Sequence, residues 1–360
     1  MRLPLYPDES NATHKRLFCV TGASGYIGGA IVERLLRAGH KVHGTVRSNP
    51  KDTRYDTMRA MDGAKDRLQL FQADLREQGS FDEAVRGCDV VIHVASPVTV
   101  RVARGQVEEE MIRPAVEGVE HVVGAIERSG TVDTLVYTGS LSAVHGDNWE
   151  RGADHVYTEE DWDEVASLSK FPYAYSKVLA EKRAWDLYNE SQKDGGSRKP
   201  WRLVVLLPGF VVGPPVTQVK SELVEFATLL MKGKLWPCIP NYHFPYVDLD
   251  DVASAHILVA MNSNCHGRYI LAHGQHSLGM RDVIQSLRQE FPKHRLPRLG
   301  APKWMLWIAS KMTDKVPWDL VASCLNKPMS FQGGRISQDT GLEYHDPMRG
   351  MADLMHHVGA

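Results

Sequence analysis

The sequence predicts an α/β fold, in which a doubly wound parallel sheet is followed by a smaller, loop-rich C-terminal lobe. Three observations lead to this prediction. Short runs of Val, Ile and Leu alternate with longer amphipathic stretches as far as Leu207, and strands that are apolar throughout are typical of a parallel sheet covered on both faces. The first apolar run leads directly into a glycine-rich turn. After Pro208, frequent prolines end the alternation.

The elements of the first domain follow a polar segment, residues 1–14, which we expect to be a flexible tail. Continuous apolar runs predict strands, whereas apolar residues repeated every three or four positions predict helices. The predicted strands lie at residues 16–21, 41–47, 68–72, 90–94, 134–138 and 203–207. The predicted helices lie at residues 27–38, 81–85, 108–129 and 173–189. Right-handed crossovers between these strands give a doubly wound sheet.

The C-terminal part contains fewer and shorter elements. Ser277 is the predicted N-cap of a helix that runs to about Glu290. Further helices are predicted at residues 252–261, 304–312 and 318–325, with a strand at 268–271. Lys and Arg are sparse on the polar faces of the last two helices, so we expect them to pack in the core or over a substrate rather than on a membrane surface.

The alternation of apolar runs with amphipathic stretches ends after Leu207, and this change predicts a domain boundary. We expect a nucleotide-binding domain over residues 15–207, to which residues 244–262 return. The remaining segments, residues 208–243 and 263–360, are expected to form a substrate-binding lobe.

Composition excludes several classes of protein. The 360 residues carry 42 Lys+Arg against 44 Asp+Glu, a net charge of −2, which argues against a basic nucleic-acid binder. Neither a membrane-spanning run nor a secretory signal is evident, so we expect a soluble, cytoplasmic protein. The five cysteines are odd in number and scattered, as in a reducing compartment. No motif predicts a metal site.

The glycine-rich turn after the first strand predicts a site for a dinucleotide. Its spacing is G-x-x-G-x-x-G, from Gly22 to Gly28, between a strand and a helix. Glycines there permit a tight turn, a close approach of backbone to pyrophosphate, and helix packing against the strand. The residues predicted to hold the pyrophosphate are Gly22, Ser24, Gly25, Tyr26, Ile27 and Gly28.

The residues after the next strands predict which dinucleotide binds. NAD-binding proteins commonly place an acidic residue after the second strand, whereas this chain has Arg47, with Arg54 close behind. A guanidinium can bind a 2′-phosphate, which favours NADP(H). Asp74 is positioned to accept from the adenine amine. The other residues predicted to contact the cofactor after the third and fourth strands are Leu75, Ala95, Ser96 and Pro97.

A Y-x-x-x-K pattern predicts the catalytic groups. Tyr173 and Lys177 lie one helical turn apart, so the ammonium can stabilise the phenolate form of a tyrosine that donates a proton. Ser140, at the carboxyl edge of the sheet, can hold a substrate carbonyl. Ser142 is an alternative to Ser140, and Tyr175 lacks a base four residues further on.

Together these residues resemble the extended short-chain dehydrogenase/reductase superfamily, in its dihydroflavonol reductase, cinnamoyl-CoA reductase and aldehyde/ketone reductase branch. The resemblance extends from Leu17 to about Val358 and is carried by TGASGYIG, GTVRS, ADLREQGSFDEAVRGCDVVIHVASPV, VYTGS, YAYSKVLAEK, LLPGFVVGPP and PYVDLDDVASAHI. It implies a Rossmann-type fold and a Ser140–Tyr173–Lys177 triad. It also implies that Arg47 and Arg54 read the 2′-phosphate and that the nicotinamide lies near Pro208, Gly209 and Val211.

The expected activity is NADPH-dependent reduction of an apolar or aromatic aldehyde or ketone. The residues expected to line the substrate pocket are largely apolar: Val98, Leu141, Phe210, Met231, Tyr242 and Phe244. Three alternatives stay open: a 3β-hydroxysteroid dehydrogenase-like oxidation, a sugar-nucleotide epimerase or dehydratase, and a non-catalytic NADPH-sensing protein. Both a monomer and a homodimer fit the long apolar-faced helices.

Overall fold

A seven-stranded parallel sheet forms the centre of the molecule in a computed structural model that describes residues 3–9, 15–97, 105–193, 199–219, 221–312 and 318–359. The described strands are β1 (Leu17–Thr21), β2 (Lys41–Val46), β3 (Leu68–Gln72), β4 (Val90–His93), β5 (Thr134–Thr138), β6 (Val156–Tyr157), β7 (Arg202–Pro208), β8 (Phe210–Val212), β9 (Cys238–Ile239), β10 (His243–Phe244), β11 (Tyr246–Asp248), β12 (Gly267–Leu271), β13 (Leu278–Gly279), β14 (Leu299–Gly300) and β15 (Ser330–Phe331).

Helices connect these strands and continue to the C-terminus. They are α1 (Tyr26–Arg37), α2 (Asp56–Arg59), α3 (Ala64–Arg67), α4 (Asp82–Val85), α5 (Arg113–Ser129), α6 (Pro172–Lys193), α7 (Glu222–Met231), α8 (Leu249–Met261), α9 (Met280–Glu290), α10 (Lys303–Met312), α11 (Trp318–Cys324), α12 (Arg335–Thr340) and α13 (Pro347–Gly359). A π-helical turn at Glu108–Ile112 precedes α5.

The strand order of the central sheet is β12-β7-β5-β4-β1-β2-β3. The chain first builds outward from β1 to β3 and then crosses back to β4, on the other side of β1. This reversal between β1 and β4 creates the crevice at which doubly wound sheets bind ligands. The Rossmann-type fold predicted from the sequence is therefore confirmed, with the carboxyl ends of all seven strands along one edge.

The two faces of the sheet carry separate hydrophobic clusters. Successive side chains of a strand point to opposite faces, and in β1 Phe18 and Val20 belong to one cluster while Cys19 belongs to the other. Helices α1 and α8 cover the first face, and α4, α5 and α6 cover the second. Continuous apolar runs were therefore correctly interpreted as strands buried on both sides.

A third hydrophobic cluster lies at the carboxyl edge of the sheet. It joins α7, α9 and α13 around β8 and β11, which pair in parallel. Among the described residues, no helix is both long enough and apolar enough to cross a lipid bilayer.

One expectation for the C-terminal part is wrong. Ser277 does not cap α9: the chain forms β13 first, the helix begins at Met280 after Gly279, and the Ser277 hydroxyl instead accepts from the Met329 amide. Residues 304–312 and 318–324 are helical as expected, but the apolar residues of α10 do not all pack inward. Leu306 is buried, whereas Trp304 is 66% exposed.

Candidate active site

The glycine turn between β1 and α1 is too tight for side chains. Gly22 has a left-handed φ of +65°, and a Cβ there would lie 3.0 Å from Ala95 Cα. At Gly28 a Cβ would lie 2.3 Å from the Gly22 carbonyl oxygen, and at Gly25 it would lie 3.1 Å from the same atom. Close approach of backbone to backbone therefore requires glycine at both ends of the turn.

The start of α1 suits an anion. Its N-cap residue, Gly25, supplies no side-chain cap, and its first turn contains no acidic residue. The amide groups of the first turn of a helix have no intrahelical partner, and their positive end attracts negative charge. The glycine turn and the positive end of α1 fit the diphosphate of a dinucleotide, which Gly22, Ser24, Gly25, Tyr26, Ile27 and Gly28 would hold.

A segment from the second half of the chain packs against this turn. The Tyr26 hydroxyl donates to the Gly213 carbonyl, and the Thr217 hydroxyl donates to the Ser24 carbonyl at 2.8 Å. A Cβ on Gly29 would lie 2.7 Å from Thr217 Cγ2. Sequence reasoning missed this support, because no local pattern indicates a contact between residues 193 positions apart.

The cations at the end of β2 differ in their surroundings. Arg47 is exposed, whereas the exposed Arg54 guanidinium is already paired with Asp52 at 3.1 Å. Asp74, predicted to meet the adenine, accepts from the backbone and side chain of Arg76. Those hydrogen bonds lower the pKa of the Asp74 carboxyl, and the charge of Arg47 lowers it further. Arg47 therefore lies within electrostatic range of the predicted adenosine site.

The carboxyl end of β4 is held by the last residue of β1. Thr21 Oγ1 accepts from the amides of Val94 and Ala95 and contacts His93 Nδ1 at 2.7 Å. An oxygen that already accepts two bonds donates its own proton, so His93 Nδ1 is the acceptor. Burial lowers the pKa of His93 to about 3, which keeps the imidazole neutral. This arrangement orients the chain where it enters Ser96 and the buried Pro97.

Lys177 lies close to Tyr173, its predicted catalytic partner, and to Ser96, a predicted cofactor residue. Its ammonium nitrogen donates to Ser96 Oγ at 2.9 Å and lies 5.5 Å from the centre of the Tyr173 ring. The lysine is buried and Tyr173 is half-buried, both on the face of α6 that meets the sheet edge. Phe171, two residues before Tyr173, has a φ of 55°, a strained conformation for a non-glycine residue.

Ser140 follows β5 after one residue, Gly139, and is the N-cap of a short helical turn, Leu141–Ala143. Its hydroxyl oxygen accepts from the Ser142 amide at 3.2 Å, so Ser142 supports Ser140 through its backbone. This turn packs against α6, which carries Tyr173 and Lys177. The three predicted catalytic residues thus lie at one end of the sheet.

Below this edge, α6 is anchored by a buried ion pair that sequence reasoning missed. Glu181 accepts from Arg268 Nε of β12 at 2.7 Å, and both side chains are buried. Arg268 also lies 3.9 Å above the Trp162 ring and donates to the Glu159 carbonyl. Burial raises the pKa of the Glu181 carboxyl, an effect that Arg268 opposes. The sequence did contain one indication of this pair: Tyr173, Lys177 and Glu181 recur every four residues, which places Glu181 on the same face of α6 as the two predicted catalytic residues.

The remaining predicted cofactor residues are Leu75, which follows β3, and three residues of the segment from Pro208 to Val211. Leu75 packs against Gly118, where a Cβ would lie 2.5 Å from its side chain. After Pro208, the Gly209 amide donates to the Leu271 carbonyl, and a Cβ on Gly209 would meet the Pro245 oxygen at 2.2 Å. Val211 pairs with Val247 across β8 and β11. The Pro208–Val211 segment is thereby held at the carboxyl edge of β7.

Three of the predicted substrate residues form one aromatic cluster. Phe210 and Phe244 stack with ring centres 4.9 Å apart, and Tyr242 lies 6.1 Å from Phe244. Leu141 is instead buried in the hydrophobic cluster on the face of the sheet that α4, α5 and α6 cover. Met231 ends α7 with its methyl group beside Gly359 of the C-terminal helix. Val98 lies outside the described residues.

Comparison with known proteins gives consistent matches. The model of the NAD dependent epimerase/dehydratase family matches residues 18–272. Cinnamoyl-CoA reductase 1 of Arabidopsis thaliana is 37% identical over 339 residues, which cover 94% of this chain and 87% of the relative. Dihydroflavonol 4-reductase of the same plant is 33% identical, covering 79% and 72%. Yeast methylglyoxal/isovaleraldehyde reductase, solved in complex with NADPH, shares the fold at a TM-score of 0.76 and 24% identity, covering 95% and 98%.

Proposed function

We propose that this chain, which belongs to the NAD dependent epimerase/dehydratase family within the extended short-chain dehydrogenases/reductases and is an oxidoreductase like its curated reductase relatives, reduces an aldehyde or ketone to an alcohol with NADPH. The observation that carries this proposal is the position of Lys177. Its ammonium lies between Ser96 and the ring of Tyr173, at the sheet edge where ligands of this fold bind.

In this mechanism the protein supplies orientation and a proton. A bound NADPH would supply the hydride for the carbonyl carbon. Ser140 donates a hydrogen bond to the carbonyl oxygen, and Tyr173 delivers the proton to that oxygen as negative charge develops on it. Lys177 stabilises the resulting phenolate, which then regains a proton from solvent. Ser96 and the buried ion pair of Glu181 with Arg268 hold Lys177 and its helix in place.

The preference for NADPH over NADH rests on Arg47. The residue that follows β2 in many NAD-binding proteins is acidic, and an acidic side chain would repel a 2′-phosphate. Here an exposed arginine occupies that position, and Asp52 already engages its neighbour Arg54. Arg47 is therefore our candidate for recognition of the 2′-phosphate, in a fork geometry that lysine cannot reproduce.

We propose an apolar or aromatic carbonyl compound as the substrate. The stacked pair Phe210 and Phe244, with Tyr242 beside it, offers ring faces at the carboxyl edge of the sheet. Aromatic side chains with few polar groups favour aromatic and apolar ligands. Two relatives are named for the reduction of cinnamoyl-CoA and dihydroflavonol, which supports the same class. In this view, residues 208–243 and 263–360 form the substrate lobe.

The test is NADPH oxidation followed across a panel of aldehydes, ketones, steroids, flavonoids and thioesters, repeated with NADH. We expect turnover of at least one apolar or aromatic carbonyl compound and a clear preference for NADPH. A strong preference for NADH would contradict the role of Arg47. Release of tightly bound NAD from the purified protein, with conversion of a sugar nucleotide, would replace the proposal by an epimerase.

A further inference from the structure

Helix α10 turns an apolar face toward solvent. Leu306 is 4% exposed and attaches the helix to a small cluster with Ala301 and Val321. On the opposite side, four large side chains at helical spacing are exposed: Trp304 by 66%, Trp307 by 51%, Ile308 by 44% and Met312 by 81%. Apolar patches of this kind on a folded protein mark interaction sites.

A second segment extends this face. Leu299 of β14 pairs with Cys238 of β9, and its amide donates to the Pro237 carbonyl at 3.1 Å. Trp236, next in the chain to Pro237, is 57% exposed, and Leu299 is 60% exposed. Exposed apolar residues therefore occur along the chain from α10 back to β14 and, across the β9–β14 pair, at Trp236. We call these six exposed apolar residues, together with the cations described next, the α10 surface.

The two chain segments that carry this face contain cations and no acidic residue. Residues 291–312 contain five Lys and Arg and no Asp or Glu, and residues 232–240 add Lys232 and Lys234, again without an acid. All seven are exposed, and within the described part of the chain none forms an ion pair with a carboxylate. The cations of the first segment are Lys293, Arg295, Arg298, Lys303 and Lys311. The whole chain carries −2, so this concentration of positive charge is local.

We propose that the α10 surface docks on an anionic lipid bilayer. Tryptophan beside Lys and Arg is the composition of interfacial segments, in which rings enter the headgroup region and cations meet lipid phosphates. The exposed apolar residues occupy one side of α10 rather than its whole circumference, so the helix would lie at the membrane surface and would not cross the bilayer.

A second copy of the chain fits this surface less well. A two-fold interface places the same patch on both subunits. Seven cations would then face seven cations, with no carboxylate in either segment to pair with them. Such like-charge contacts oppose association, whereas acidic headgroups neutralise them.

Sedimentation with sucrose-loaded vesicles tests the proposal on the full chain. Phosphatidylcholine vesicles with and without about 30% phosphatidylserine are compared at about 0.15 M and about 0.5 M salt. We expect sedimentation with the phosphatidylserine vesicles only, weakened at high salt. The variant Arg295→Gln/Arg298→Gln/Lys303→Gln should lower the partition coefficient about 100-fold. Trp304→Ser/Trp307→Ser should lower it about tenfold or more.

A matched control removes three exposed cations elsewhere. The variant Lys41→Gln/Lys65→Gln/Arg86→Gln changes the net charge equally on the nucleotide-binding part and should bind vesicles like the unmodified protein. Absence of phosphatidylserine-dependent sedimentation of the unmodified protein would overturn the proposal, whatever the variants do. So would a stable dimer that Trp304→Ser/Trp307→Ser separates into monomers.

Discussion

Replacement of Gly28 by alanine tests the glycine turn most sharply. The added Cβ would lie 2.3 Å from the Gly22 carbonyl oxygen and 3.0 Å from the Gly22 carbonyl carbon. That distance is about 1 Å short of a normal contact, and both obstructing atoms are backbone, so the turn itself must move. The substitution gains at most about 1 kcal/mol of helix propensity, whereas overpacking of this kind costs about 1–3 kcal/mol.

The shift of the glycine turn in Gly28→Ala should also weaken cofactor binding. Hydrogen bonds from amides have a tolerance of only about 0.5 Å in length, so a shift of about 1 Å removes them. A bond to a charged group contributes about 1.5–3 kcal/mol. Loss of one such bond to the diphosphate therefore weakens NADPH binding by about 10- to 100-fold. Fluorescence titration with NADPH measures this loss, and urea unfolding measures the change in stability.

Gly124→Ala is the matched control for this substitution. Gly124 lies within α5, where an added Cβ would meet only the mobile end of the Arg128 side chain, at 3.0 Å. We expect unchanged NADPH affinity and stability equal to or slightly above that of the unmodified protein. The reasoning is refuted if Gly28→Ala binds NADPH within about threefold of the unmodified protein and unfolds at the same urea concentration.

Three further predictions follow from other parts of the molecule. Arg268→Met leaves the Glu181 carboxylate buried without its partner and should lower the free energy of unfolding, measured in urea, by about 3–5 kcal/mol. The double variant Glu181→Leu/Arg268→Met should recover most of this loss. A loss below about 1 kcal/mol in Arg268→Met would contradict the prediction. Arg47→Ala should weaken NADPH about 10- to 100-fold and leave NADH unchanged in the same titration; equal losses for both would exclude recognition of the 2′-phosphate. Burial lowers the pKa of His256 to about 4. As the pH falls from about 6.5 toward 4, the imidazole therefore takes up a proton only in the unfolded state. The free energy of unfolding then falls by about 1.4 kcal/mol per pH unit for each such group. Calorimetry should show a shallower loss over that range in His256→Gln, and an unchanged slope would contradict it.

The parts of the fold that depend on local pattern could be predicted from the sequence. The apolar runs of the central sheet and the glycine turn each occupy a few consecutive residues, and their consequences are steric. The same holds for Tyr173 and Lys177, since one helical turn brings them together wherever α6 lies. The predicted elements of the central sheet differ from the observed ones at their ends, as at the π-helical turn before α5. Helices α2 and α3 and strand β6 were not predicted. Residues 3–9, expected to belong to a flexible tail, instead pack on α1, where the buried Glu9 pairs with Arg34.

Contacts between distant parts of the chain could not be predicted in this way. Thr217 supports the glycine turn and Arg268 pairs with Glu181 only because the fold brings their strands and loops together. Ser277 has the composition of a helix cap, yet pairing of β13 with β10 delays the helix to Met280. The exposure of Trp304 was equally hidden, since an apolar helical stripe looks the same whether it faces a core or solvent.

The transfer of deuterium from NADPH that carries deuterium at both C4 positions, in the unmodified protein and in Tyr173→Phe, tests the central claim most directly. The measurement follows the alcohol product of an active substrate by mass spectrometry, together with the NADPH affinity of each protein. We predict one deuterium on the carbinol carbon, and a rate about 10²–10⁴-fold lower in Tyr173→Phe at unchanged NADPH affinity. Near-native turnover in Tyr173→Phe, or a product without the label, would contradict the account.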